Sequence, residues 1–229
     1  FHSTFNGIVC DSSDVSRLKL KFYNSIVHNC QGYGLRSVNS VVDVRNSQLT
    51  NTLNDCVAIY GGGALLLNCT IAQFYPFDSN RGAALRFSNG ENDGETLHKY
   101  PLYQMDCINS IVTGYADDVV MGSVADSTIS YTYKFQNCIL RTDSIDNGDN
   151  IKNVIWEDAD SVATDTVYGG EKNFKLVDIN KQHFDFHLSN VSKAIGKGTK
   201  ADNYYMPTDR EGRKRRDEPD LGCSEYVEP

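Results

Sequence analysis

Along residues 20–73 the hydrophobic and polar positions return in one order: large apolar, polar, asparagine, small, polar, aliphatic. The stretches are "LKFYNSIVHN" at 20–29, "VDVRNSQLTN" at 42–51 and "ALLLNCTIAQ" at 64–73. Their asparagines, Asn24, Asn46 and Asn68, are 22 residues apart, and Asn109 and Asn137 follow at intervals of 41 and 28. Two residues before each asparagine stands Phe22, Val44, Leu66, Cys107 or Phe135. The residue after it is Ser25, Ser47, Cys69, Ser110 or Cys138, and three after it comes Val27, Leu49, Ile71, Val112 or Leu140. Apolar positions spaced by two on both sides of a fixed asparagine predict two short strands meeting at a bend. A helical repeat would space them by three and four.

Each repeat continues into a further strand, "YGLRSV", "CVAIYG", "AALRFS" and "DVVMGS" in turn. A unit of roughly 20–30 residues built from strands and turns predicts a solenoid of stacked coils. Stacking sets equivalent side chains above one another. Asn24, Asn46, Asn68, Asn109 and Asn137 are therefore expected to form a ladder, each amide donating to the asparagine or a carbonyl of the next coil. A ladder position also hides Asn68 of "NCT" (68–70) from glycosylation.

The pattern resembles the right-handed parallel β-helix, the pectate-lyase-like architecture, over residues 1–140. The expected fold is all-β: a right-handed parallel β-helix solenoid with an irregular C-terminal capping segment. Residues 1–140 supply the coils, and 141–229 supply the final coils and the cap within one structural domain. That fold hosts lyases, hydrolases, adhesins and binding proteins, so it speaks for architecture and not for activity.

Beyond residue 141 the beat fades. "FHLSNVSKAIGKG" supplies Phe186, Leu188, Ser192, Ala194, Ile195 and Gly198; Asp209, Gly212 and Arg215 follow, then Asp220, Gly222 and Glu225. In their spacing these residues resemble the choice-of-anchor Q domain, which ends many secreted bacterial β-helix proteins, especially from Bacteroidetes. Lys193 in place of proline, and Cys223-Ser224 in place of Ala-Tyr, depart from that pattern. The resemblance implies a secreted or cell-surface protein. Physically, the glycines allow tight turns, and Asp209, Arg215, Asp220 and Glu225 are expected to pair and fold the tail across the exposed end of the last coil.

Composition narrows the partners. The chain has 229 residues and a formal charge of −8, so nucleic acid is not an expected partner. The one basic run, "RKRRDEP" at 213–219, is followed at once by acids. No apolar run is long enough to span a membrane. The opening "FHSTFNGIV" already reads as mid-repeat, and we expect an excised or processed form whose targeting signal or lipid anchor lay upstream. Seven cysteines in no CxxC spacing are expected as small core residues, without a metal or a full disulfide framework.

Catalytic signatures are sparse. Asp43 stands alone between valines, and the Arg-x-Pro-x-x-Arg and Gly-His-Gly motifs of β-helix lyases and hydrolases are missing. Asp117 and Asp118 point to opposite faces if they lie on a strand, and read as a turn. His2, His28, His98, His183 and His187 make no metal pattern, with His183 and His187 expected as exposed strand decoration, and Gly61–Gly63 read as a turn. The enlarged interval between Asn68 and Asn109 holds two insertions rich in aromatic and charged residues: Phe74, Tyr75, Phe77, Asp78 and Arg81, then Glu91, Asp93, His98, Lys99, Tyr100 and Tyr103. Aromatic faces with charged groups beside them suit sugars, and both insertions are expected to converge over one face. Three readings follow: a binder of extracellular polysaccharide with no cofactor; a polysaccharide lyase or glycoside hydrolase acting in loops 73–103 or in a missing N-terminal part, with Ca²⁺ for the lyase; and a structural spacer or adhesin.

Overall fold

The structure, a computed structural model, describes residues 5–145, 148–158, 170–200 and 205–228. His2 lies outside them. The chain enters through β1 (Ile8–Cys10), β2 (Leu18–Tyr23), β3 (Ile26–His28), β4 (Leu35–Arg45), β5 (Gln48–Thr50) and β6 (Val57–Leu67). It continues through β7 (Thr70–Gln73), β8 (Leu85–Ser88), β9 (Gly90–Asn92), β10 (Leu97–Lys99), β11 (Leu102–Ile108) and β12 (Ile111–Gly114). The remaining strands are β13 (Val120–Ser123), β14 (Tyr131–Leu140), β15 (Ile151–Trp156), β16 (Phe174–Asp178) and β17 (His183–Leu188).

Thirteen strands form one curled parallel sheet, while β9–β10 and β16–β17 are antiparallel hairpins. The sheet resolves into three ladders that the chain visits in a fixed order. The first aligns Ile8, Leu35, Val57, Leu85 and Val120. The middle one aligns Phe22, Val44, Leu66, Cys107, Phe135 and Ile151. The third aligns Val27, Leu49, Ile71, Val112, Leu140 and Trp156. The last two rows contain the apolar columns that flank the repeating asparagine, and Val44, Leu66, Cys107, Leu49, Ile71 and Val112 all pack in one buried cluster.

The asparagines occupy the bend between the middle and third ladders. Asn24, Asn46, Asn68, Asn109 and Asn137 all have φ between 48° and 53°. Among residues with a Cβ, asparagine enters this left-handed region at low cost. Each backbone N–H of the first four donates to the carbonyl just before the next asparagine in the stack: Asn24 to Arg45, Asn46 to Leu67, Asn68 to Ile108, Asn109 to Gln136. The small residue that follows turns its Oγ or Sγ back on the carbonyl two positions earlier. Ser25, Ser47 and Ser110 do so at 2.8 Å, Cys69 at 3.5 Å and Cys138 at 3.4 Å. Asn-Ser and Asn-Cys pairs are thus the chemistry of the bend: one residue supplies the torsion, the other satisfies a buried carbonyl. The same device recurs at other corners as Asn39-Ser40 and Asn29-Cys30.

The side-chain ladder is incomplete. Asn46 donates to Asn24 at 3.1 Å, whereas both amide atoms of Asn68 are buried without a partner. Asn109 exchanges two hydrogen bonds with the backbone of Thr199, and Asn137 donates to the Lys197 carbonyl. The positive φ, and not an amide chain, is what the column has in common.

Those partners show where the tail lies. Rather than crossing the end of the stack, it runs along the bend beside several coils. Arg215, 1% exposed, donates to the Asn46 side chain, the Glu225 carboxylate and the carbonyls of Asp220 and Gly222. Asp209 accepts from the N–H groups of Arg213 and Glu225, and Asp220 from those of Gly196 and Tyr226. Gly212 and Gly222 sit at φ 83° and 88°, and a Cβ on Gly222 would lie 2.7 Å from the Thr70 hydroxyl. Asp209, Gly212, Arg215, Asp220, Gly222 and Glu225 therefore form one knot. The basic run is absorbed too: Arg213, Arg215 and Arg216 pair with Asp209, Glu225 and Asp220. Against the outer face of the third ladder, Ala72, Ile111 and Ile139 meet Phe174, Phe186, Leu188 and Leu221 in a second apolar core. Among the described residues, no helix is long and apolar enough to cross a membrane.

Candidate functional site

The first insertion leaves β7 and returns to β8. Its roots are fixed by buried polar groups. Gln73 donates to the carbonyls of Thr52 and Asn54, the Asn51 side chain accepts the Phe74 N–H, and Asp55 accepts the Ala83 N–H while clamping Arg86. Between these roots, the Asp78 carboxylate accepts the Asn80 N–H in a tight turn, and Arg81 donates to the carbonyls of Tyr75 and Asp78. The Arg81 guanidinium lies 5.0 Å over the Tyr115 ring, and Tyr75 meets Phe77 edge to face at 5.3 Å.

A cleft of about 410 Å³ opens here, lined by Tyr75, Phe77, Asp78, Arg81, Tyr115 and Asn180 among others. Phe77 is 63% exposed and Tyr115 57% exposed, so both rings offer a face to a ligand. Phe74 contributes no free face. It is fully buried, stacked 6.2 Å from Phe186 and edge-on to Phe174 at 6.4 Å, where it anchors the second apolar core. Tyr75 is also largely buried.

The second insertion lies elsewhere. None of residues 88–103 lines this cleft. His98 bonds Asp93 at 2.8 Å across the β9–β10 hairpin, and Lys99 pairs with Asp126 at 2.6 Å. The Thr96 N–H, and then His98, hold the Asp93 carboxyl down at about 2. Lys99 holds that of Asp126 still lower. Tyr100 packs beside Val38, Ala58 and Tyr60, with His98 stacked on it at 6.3 Å. The two insertions leave different corners of the sheet, one after the third ladder and one after the first, so the expected convergence does not occur.

Tyr115 and Asn180 escaped the sequence reading. Tyr115 was legible, because it stands six residues after Asn109 as Phe74 stands six after Asn68, one coil further along the same column. Asn180 comes from the β16–β17 turn, whose docking no repeat announces. Asp117 binds Arg141 and Asp118 accepts the Val120 N–H, so that pair is a turn and does not act together. His187 is not mere decoration: it sits between Asp185 and Glu211, which raise its pKa, Glu211 first. All seven cysteines are buried free thiols; burial pushes Cys56 up to about 12 and Cys69 higher. Among the described residues, no group of three acids, histidines or cysteines is placed to hold a metal ion. Compared with known proteins, the chain matches no family model and no curated protein.

Proposed function

We propose that this chain is a right-handed parallel β-helix protein, secreted or displayed at the cell surface, that binds extracellular polysaccharide at the Phe77–Tyr115 cleft. The observation that carries the reading is the pairing of two exposed rings with Arg81 and Asp78 in one recess on a rigid sheet. Aromatic faces stack on the C–H faces of sugars, and guanidinium and carboxylate groups bond hydroxyls. The fixed order of three ladders and the two-residue bends support the β-helix. The knot of Asp209, Arg215, Asp220 and Glu225 supports kinship with the choice-of-anchor Q tail and hence an extracellular setting. The cleft lining holds a single carboxylate, Asp78, which supports binding over acid/base cleavage by a carboxylate pair. A panel of neutral and uronic-acid glycans tests this, read by array binding, absorbance and reducing ends. Binding without turnover is the expected result. Turnover would favour the lyase or hydrolase, and no binding to any glycan would favour the spacer.

A further inference from the structure

Two thiols meet inside the stack. The Sγ atoms of Cys107 and Cys138 lie 4.0 Å apart, and both side chains are fully buried. The residues are 31 apart in sequence, and the repeat itself brings them together. The small residue after each bend asparagine sits over the residue two before the asparagine of the preceding coil. Ser47 turns its Oγ to the Phe22 carbonyl at 3.4 Å, Cys69 its Sγ to that of Val44 at 3.4 Å, and Ser110 its Oγ to that of Leu66 at 3.3 Å. Cys138 turns its Sγ to the Cys107 carbonyl at 3.3 Å. Of these pairs, this one alone has sulfur on both sides.

Cys107 is also the misfit of its column. The middle ladder aligns it with Phe22, Val44, Leu66, Phe135 and Ile151, all larger apolar residues. A cysteine there fills less of the core and makes fewer apolar contacts. Packing gives no reason for it; the thiol of the next coil does.

A disulfide needs its sulfurs about 2.05 Å apart, and each thiol swings on its own Cα–Cβ torsion to close the gap. Cys138 would release the Gln136 carbonyl, held at 3.4 Å, but that carbonyl keeps the Asn109 N–H at 3.0 Å. In the folded protein the Cys138 contact, and then burial, push the Cys107 thiol well up, so it offers little of the reactive thiolate. The bond therefore forms before the coils close. Its value lies in its place: among the described strands, only β15 extends the middle ladder beyond β14, and the last units of a stack open most readily.

We infer that Cys107 and Cys138 are a disulfide pair, which a low-molecular-weight disulfide oxidises during folding and which then clamps the coil of β11 to that of β14. One thiolate attacks the small disulfide, forming a mixed disulfide and releasing one reduced small thiol. The second cysteine loses its proton, attacks the protein sulfur of that mixed disulfide and releases the other reduced thiol. The two cysteines lose two electrons and two protons, and the small disulfide gains them. The bond asks nothing of the Phe77–Tyr115 cleft.

The test refolds reduced protein from urea in a mixture of reduced and oxidised glutathione, alkylates it with iodoacetamide and digests it with trypsin. Residues 100–134 and 135–141 leave as separate peptides with one cysteine each. In most of the protein they should emerge joined, lighter by two hydrogens than the free pair. The oxidised protein should melt about 5–10 °C above the reduced one, the range expected for closing a loop of this length in a chain of this size. Cys138→Ser installs the residue type already present at Ser25, Ser47 and Ser110, so it should fold and melt alike with and without dithiothreitol. Both peptides alkylated after oxidative refolding, either cysteine joined to Cys69 or Cys223 instead, or an oxidised protein melting no higher than the reduced one would overturn the inference. If wild type does not refold from urea, the same map is read on protein exported to a bacterial periplasm, with the same outcomes deciding.

Discussion

Replacing Asn68 and Asn109 by glycine, one at a time, separates the two reasons an asparagine could stand at the bend. Both residues have almost the same torsion, φ 53° and 50°, a left-handed conformation that glycine adopts without strain, so the backbone consequence of glycine is small and common to both. The side chains differ. Asn109 gives up two hydrogen bonds with Thr199, at 2.8 and 2.9 Å, together about 1–3 kcal/mol. Asn68 gives up none, and removing its unpaired buried amide relieves about 1–3 kcal/mol of desolvation. Asn109→Gly is therefore expected to lose about 1–3 kcal/mol, and Asn68→Gly to be neutral or to gain up to about 3 kcal/mol. Urea unfolding with a common slope reads the difference directly. Equal losses in the two variants would refute the torsional account and restore a side-chain ladder through Asn68.

Other outcomes follow from the same geometry. Phe74→Ala should cost about 3–5 kcal/mol in urea unfolding, the range for emptying a buried aromatic site, while Phe77→Ala should change stability little. Cys69 and Cys138 should react with a thiol reagent in the native protein far more slowly than in denaturant, because both are fully buried. Glu157 is held by Thr113 and Asn173 at 2.6 and 2.5 Å, and burial raises its pKa above the ordinary 4.5 against those two donors and Arg141. A raised folded pKa gives stability that is present below 4.5 and lost as pH climbs through the folded value, so Glu157→Gln should gain on wild type as pH rises from 4 to 7 in parallel melts. A constant offset across that range would contradict the assignment.

How far the sequence reached depends on what kind of contact was at issue. The columns flanking Asn24, Asn46 and Asn68 were legible because each coil repeats the same inward positions, and register between neighbours follows once the asparagines are aligned. The column extends one coil further, to Asn153 at φ 53°, but the interval shrinks to 16 residues there and the following residue is Val154, so the Asn-small signal is broken. The tail was legible as a set of paired charges, yet its docking along Asn46, Asn109 and Asn137 was not, because those contacts join residues far apart in sequence without periodicity. Phe74 and Phe77 looked alike as loop aromatics. Only the hairpin β16–β17, packing down on the third ladder, makes one a core residue and leaves the other open. Asp43 seemed isolated for a similar reason: its column partner Asp106 sits across the longest insertion, although each stands three residues before its asparagine.

Sugar binding by the Phe77–Tyr115 cleft is tested most directly by titrating wild type, Phe77→Ala and Tyr115→Ala with the tightest glycan from the panel, with a melt of each variant alongside. Each ring should contribute about 1–2 kcal/mol to binding, a loss of roughly five- to thirtyfold per substitution, with thermal midpoints close to wild type. Undiminished affinity in both variants would contradict the cleft as the site, and a lost affinity accompanied by a collapsed midpoint would show the rings to be structural.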